Sequence, residues 1–244
     1  MSTTIQNSID FSQTYTQYSP LAVGAGNQPA LGIANEIQFL VTSAPFTWGW
    51  NRKEDNSTST VAGIQDYVIN LTDFGFLELF SLTSPTGEVF QVQDIYNTNA
   101  LAVADATVNK RGRPNSISVS SVIYGTSVKF RFTGVPDKAY LINLVYQKLV
   151  VPLTTLSGAA GTWIIPDQYQ DIYNFLFLAE AMAVVDDARE ALYRRQGVAA
   201  LLSKAEGLND MQKNLFLEQY WMRQGRPDLA GPLKTQQGIQ GRGV

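Results

Sequence analysis

Apolar side chains recur every three or four positions from Gln168 to Arg223, a spacing that predicts amphipathic helices. Tyr169, Ile172, Tyr173, Leu176, Ala179 and Ala183 fall on one face. Pro166 and Asp167 suit the start of such a helix. Proline lacks the donor that would go unpaired there, and the aspartate complements the N-terminal dipole. Val184 to Arg189 reads as a continuation that weakens at Gly197, with a second helix from Val198 to about Ala205 and a third from Asn209 to Met222. Upstream, Asn27 suits a cap and Pro29 a first helical residue. Ile33, Ala34, Ile37, Leu40, Val41 and Ala44 then share a face, and Pro45 ends the helix.

Between these helical regions, residues 58–152 read as strands. Thr58–Val61, Asp66–Leu71, Phe76–Leu82 and Glu88–Val92 come first, with a hairpin connection at Ser84-Pro85-Thr86-Gly87. Ser116–Ser120 and Ser127–Phe132 alternate polar and apolar residues, and Gly134–Lys138 turns the chain into Ala139–Val145. Such alternation predicts an antiparallel meander with its polar residues facing outward. Asp94–Ala106 reads as a short helix or a crossing loop.

The fold expected is α+β: an antiparallel helical bundle, one N-terminal helix plus the C-terminal helices, with an inserted antiparallel β module and extended termini. Residues 1–28 form an extended N-terminal arm, 29–52 and 163–223 the helical bundle, 53–162 the inserted β-rich module, and 225–244 an extended C-terminal arm. That last stretch is rich in glycine and proline and is locally basic at Arg226, Lys234 and Arg242. About 20 extended residues reach roughly 70 Å, far enough to leave the parent subunit.

Composition narrows the chemistry. Charged residues make up 16% of the 244, well under the usual share, and the net charge is −3. A surface that faces other protein is depleted in Lys, Glu and Asp. There is no cysteine and no histidine, which removes thiolate metal sites, disulfides and imidazole bases. No metal or cofactor is expected. The first residues lack the basic and apolar runs of a secretory signal, and no apolar run suffices to cross a membrane. A protein made in a reducing compartment is expected.

Gly24-Ala25-Gly26 lacks the Lys-Ser/Thr of a phosphate loop. Asp186 and Asp187 are neighbours on a predicted helix and diverge by about 100°, so they do not converge on one substrate. No nucleophile–base pair is visible, and no enzyme activity is expected. Lys110, Arg111 and Arg113 form the densest basic cluster, a candidate contact for DNA phosphate or a partner. Phe46, Trp48 and Trp50 alternate, so that an extended chain points them one way. They read as a core plug joining helix to sheet, with an aromatic ligand box as the other reading. Tyr169, Tyr173 and Leu176 are the other candidate core residues.

Four stretches carry a resemblance. They are Pro45-Phe46-Thr47-Trp48-Gly49-Trp50-Asn51-Arg52 after the first helix, Thr58-Ser59-Thr60-Val61-Ala62-Gly63-Ile64-Gln65-Asp66-Tyr67, and Tyr140–Gln147 followed by Pro152-Leu153 and Trp163-Ile164-Ile165-Pro166. The closing helix with Asp186-Asp187-Ala188-Arg189 and Tyr193 is the fourth. In this order they resemble the head-to-tail adaptor proteins of tailed bacteriophages (tubular tail protein A, or gatekeeper-like connectors), over about residues 29–223.

The resemblance implies a structural virion protein at the head–tail junction, made in the host cytoplasm. It would form a ring of roughly twelve copies under the portal, around the channel through which genomic double-stranded DNA passes. The partners implied are further copies of the chain, the portal protein, and a tail or nozzle protein on the far face, with no membrane. The C-terminal arm would dock on the portal through Arg226, Pro227, Leu229, Pro232, Leu233, Lys234 and Arg242. The alternatives are another neck or tail ring component (a tail terminator or minor head protein) and, from a different class, a host- or glycan-binding β module.

Overall fold

The computed structural model describes residues 4–16, 28–94, 111–155, 161–184, 186–226 and 229. The chain opens with α1 (Ile5–Thr16), a helix that carries few apolar residues. Ile5 and Ile9, one turn apart, are fully buried, and Ser8 and Ser12 are buried beside them. These small side chains let α1 lie close against α3 (Gln170–Val184). The Ser8 hydroxyl donates to Asn174 Oδ1 at 2.9 Å and accepts from Trp163 Nε1 at 3.1 Å, so its polarity is satisfied inside the contact.

The second helix, α2 (Gln28–Thr42), buries Ala30, Ile33, Ala34, Ile37 and Val41 at helical spacing. Its polar flank holds the chain that leaves the sheets. Asn35 Nδ2 donates to the Leu153 carbonyl at 3.1 Å, and Asn35 Oδ1 accepts from the Leu153 N–H at 2.7 Å. One turn on, Gln38 Nε2 donates to the Val151 carbonyl at 3.2 Å.

Two four-stranded sheets follow. One is ordered β1 (Arg52–Asp55), β10 (Leu141–Lys148), β3 (Phe74–Thr83), β4 (Val89–Gln91). The other runs β2 (Asp66–Ile69), β8 (Ser127–Thr133), β7 (Ser116–Ile123), β5 (Gln93–Asp94). Their inner faces meet: Phe80 lies 6.1 Å from Phe130 and 5.6 Å from Phe132, ring centre to ring centre, and Phe74 lies 6.1 Å from Phe130. These rings, with Leu82, Ile117, Val128, Leu144 and Tyr146, form a core of their own. A third, two-stranded sheet pairs β6 (Arg111–Gly112) with β9 (Val135–Pro136).

The chain then closes with the 3-10 turn Asp167–Tyr169, α3, α4 (Glu190–Lys204) and α5 (Asp210–Arg223). With α1, α2 and the segment Phe46–Trp48, they enclose a second core around Ile5, Trp163, Tyr173, Leu176, Leu201 and Trp221. Gly197 sits where α4 crosses α3. A Cβ there would meet the Leu176 side chain at 2.8 Å and the Leu176 backbone nitrogen at 3.0 Å.

A helical bundle with one N-terminal helix and an inserted β module is therefore not what forms. The described residues hold ten strands in three sheets against five α-helices, two of which precede the first strand. The strands weigh more than expected because two sheets face each other and bury Phe80, Leu82, Phe130, Phe132 and Leu144 between them. Residues 5–16, expected in an extended arm, are helical instead. Nor is the sheet a plain meander, since β5–β7 and β6–β9 pair in parallel. Ser116 and Ser118, expected to face outward, are buried.

The helix expected to continue through Val184–Arg189 stops at Val184. Asp186 turns the chain with φ of 54°, a left-handed conformation that aspartate tolerates better than most residues. Asp187 then accepts the Arg189 N–H at 2.9 Å and the Arg189 guanidinium at 2.7 Å. The expected break at Gly197 lies inside α4. The start at Asn209 is a full capping box: Asn209 Oδ1 accepts the Gln212 N–H at 2.9 Å, and Gln212 Oε1 accepts the Asn209 N–H at 3.0 Å. The segment Asp94–Ala106 lies outside the described residues beyond Asp94.

Candidate functional site

The aromatic segment after α2 forms the joint between the two cores. Phe46 and Trp48 are fully buried, and Trp50 is half-buried and stacked on Trp48 with ring centres 6.1 Å apart. Trp48 Nε1 donates to the Val41 carbonyl at 2.7 Å, and its ring meets Tyr169 at 5.2 Å. The Trp48 N–H donates to Gln147 Oε1 at 3.2 Å, while Gln147 Nε2 donates to Glu78 Oε2 at 2.7 Å. Arg52 closes this chain of contacts by pairing with Glu78. Tyr173 and Leu176 are buried on α3, and Trp163 stacks on Tyr173 at 4.2 Å. Burial holds the Tyr173 hydroxyl well above its ordinary pKa.

A second polar group lies inside the helical layer. Arg194, 5% exposed, pairs with both Glu180 and Glu190 and donates to the Tyr220 hydroxyl at 3.4 Å. Burial alone would lower the Arg194 pKa; the hydrogen bonds and charge of Glu180 and the bond to Tyr220 outweigh it and raise the pKa. This network fastens α4 to α3 and α5. It uses its charges internally.

Two apolar features face outward. The first is a stripe on α5, where Met211, Leu215 and Met222 are 74%, 53% and 59% exposed. They follow one another by four and seven residues, so they line one face, with Glu218 between Leu215 and Met222. The opposite face of α5 buries Leu217, Tyr220 and Trp221. The second is a groove of about 230 Å³ where the end of α2 meets the sheets. Phe39, Ala44, Phe76, Tyr124, Lys148 and Val150 line it. Tyr124 stands at the tip of the β7–β8 hairpin, 67% exposed.

Neither feature is among the candidates that the sequence alone picks out. The stripe is visible in the sequence as a second set of apolar residues on α5, at spacings of four and seven, set opposite the core set. The groove is assembled from segments far apart in the chain and leaves no local pattern.

The basic and C-terminal candidates separate. Arg111 is exposed on β6, and the Arg113 guanidinium sits 4.2 Å over the Phe90 ring, a cation–π contact on the sheet surface. Lys110 lies outside the described residues. Arg226 is half-buried, its N–H bonded to the Trp221 carbonyl at 2.9 Å, and Leu229 packs against the helical core. The chain thus stays on the body at both Arg226 and Leu229. Pro227, Pro232, Leu233, Lys234 and Arg242 lie outside the described residues.

Among the described residues, no group of three or more Asp or Glu is placed to hold a metal ion, and no helix is long and apolar enough to cross a membrane. No protein-family model matches the chain, and no curated protein matches it.

Proposed function

We propose that this chain is a head-to-tail adaptor of a tailed bacteriophage, a structural subunit that assembles with its own copies into a ring between portal and tail. The observation that carries the reading is the outward stripe of Met211, Leu215 and Met222. A second apolar face on a helix that has already filled its core face is the kind of surface that a protein partner covers. The low charged share of 16% fits the same purpose. The stretches that carry the resemblance also supply the joint of the two cores, around Trp48 and Gln147.

In this reading the ring surrounds the passing double-stranded DNA, and a net charge of −3 keeps phosphates from sticking to it. The portal and a tail or nozzle protein are the partners above and below. Residues 230–244 serve as the portal-docking segment.

A glycan- or host-binding reading requires Trp48 and Trp50 at the surface. Trp48 is fully buried and Trp50 stacks on it, which removes the apolar platform such a site needs. A different ring component of the neck or tail shares the α5 observation and differs only in its neighbour.

Co-sedimentation with the portal ring of the same virus tests the proposal. The full chain is expected to sediment with the portal, and a chain ending at residue 229 is expected to fold but stay in the supernatant. A full chain that remains unbound contradicts the adaptor reading. A truncated chain that binds equally well removes the docking role of residues 230–244.

A further inference from the structure

Resting on that ring reading, we propose that copies join head to tail, the α5 stripe of one copy seating in the groove under Tyr124 of the next. The two surfaces differ in shape and charge in a matched way. The stripe is a convex helix face bearing Met211, Leu215 and Met222 with one carboxylate, Glu218, in its middle. The groove is concave and mostly apolar, and it carries one cation, Lys148. Among the described residues the side chains of Glu218 and Lys148 have no ion pair within the chain, as is true of Glu36, Lys213 and Arg223, so both are free to pair across a contact. Seating the stripe in the groove pairs these two charges and covers both apolar surfaces in one contact.

A two-fold contact of the stripe with itself does worse. It sets the Glu218 carboxylate against a second Glu218 or against Leu215, which removes the carboxylate from water without a partner. Two different patches on one chain generate a heterologous contact, and a heterologous contact with the right rotation closes a ring. The exposed Ile123 and Val151, 61% and 75% accessible, extend the apolar area near the groove.

The chain contains no cysteine, so introduced thiols are the only ones it carries. The test combines Tyr124→Cys and Leu215→Cys in the full chain, oxidises it mildly in the presence of the portal ring, and reads a non-reducing gel alongside electron micrographs. The double variant is expected to give a ladder of linked multimers, and each single variant a monomer. Glu218→Lys should cut the ladder several-fold, and adding Lys148→Glu in the same chain should restore it. Circular dichroism on every variant checks that it is folded.

Dimers from Leu215→Cys alone would show stripe-to-stripe pairing and overturn the proposal. Rings without a ladder would mean that copies join through other surfaces, which overturns this contact and leaves the adaptor reading standing. If no rings form in any chain, including the unaltered one, the adaptor reading fails and this contact with it.

Discussion

The Trp48 N–H donates to Gln147 Oε1 at 3.2 Å, and this bond ties the aromatic segment of the helical layer to β10 of the sandwich. Gln147 is fully buried and spends its other end on Glu78 at 2.7 Å. The two cores are thus joined by a polar contact set among large aromatic rings.

Gln147→Leu should therefore destabilise the protein far more than its similar volume implies. It strands the buried Trp48 N–H and removes a donor from Glu78, a loss of about 2–3 kcal/mol. Urea unfolding followed by tryptophan fluorescence checks this. A midpoint unchanged from the unaltered chain would show that the joint carries no stability.

Two helix glycines should respond with opposite signs. Gly197→Ala pushes a Cβ to within 2.8 Å of Leu176, and overpacking of about 1–3 kcal/mol outweighs a propensity gain of about 1 kcal/mol. Gly32, in α2, faces open space, with nothing within 4 Å of where a Cβ would stand, so Gly32→Ala should stabilise by up to about 1 kcal/mol. Thermal melts of both variants decide it.

Asp187 should titrate low. Its hydrogen bonds from the Arg189 side chain and backbone N–H lower its pKa from 3.8 to about 2. A depressed carboxylate contributes stability that is complete above the unfolded value of 3.8 and lost as pH falls through about 2. Carbon NMR titration of the Asp187 carboxyl should show the low value, and Arg189→Ala should return it towards the ordinary carboxylate range.

Legibility in the sequence followed how each element is held. Apolar spacing located α2, α5 and most of α3, and the alternation of Ser127–Phe132 located β8, because those elements bury a periodic face. It failed for α1, whose buried face mixes Ile5 and Ile9 with Ser8, Ser12 and Thr16; Ser8 looks like part of a polar tail until Asn174 and Trp163 are beside it, and Ser12 bonds back to the Ile9 carbonyl. The corner at Asp186 was hidden because the residues on both sides suit a helix, and only a left-handed residue with Asp187 capping behind it reveals the stop. Gly197 looked like a helix breaker, whereas its role is to let α4 touch Leu176. The same ambiguity hid the candidate assembly surface: periodicity shows that Met211, Leu215 and Met222 share a face, but not that Leu217 and Trp221 have already filled the core.

The measurement that bears most directly on the adaptor account is electron microscopy of the purified chain mixed with the portal ring of its own virus. The account predicts a second ring stacked beneath the portal, its symmetry read directly from end-on views. An intact portal with no added density, in the presence of folded protein, would contradict it.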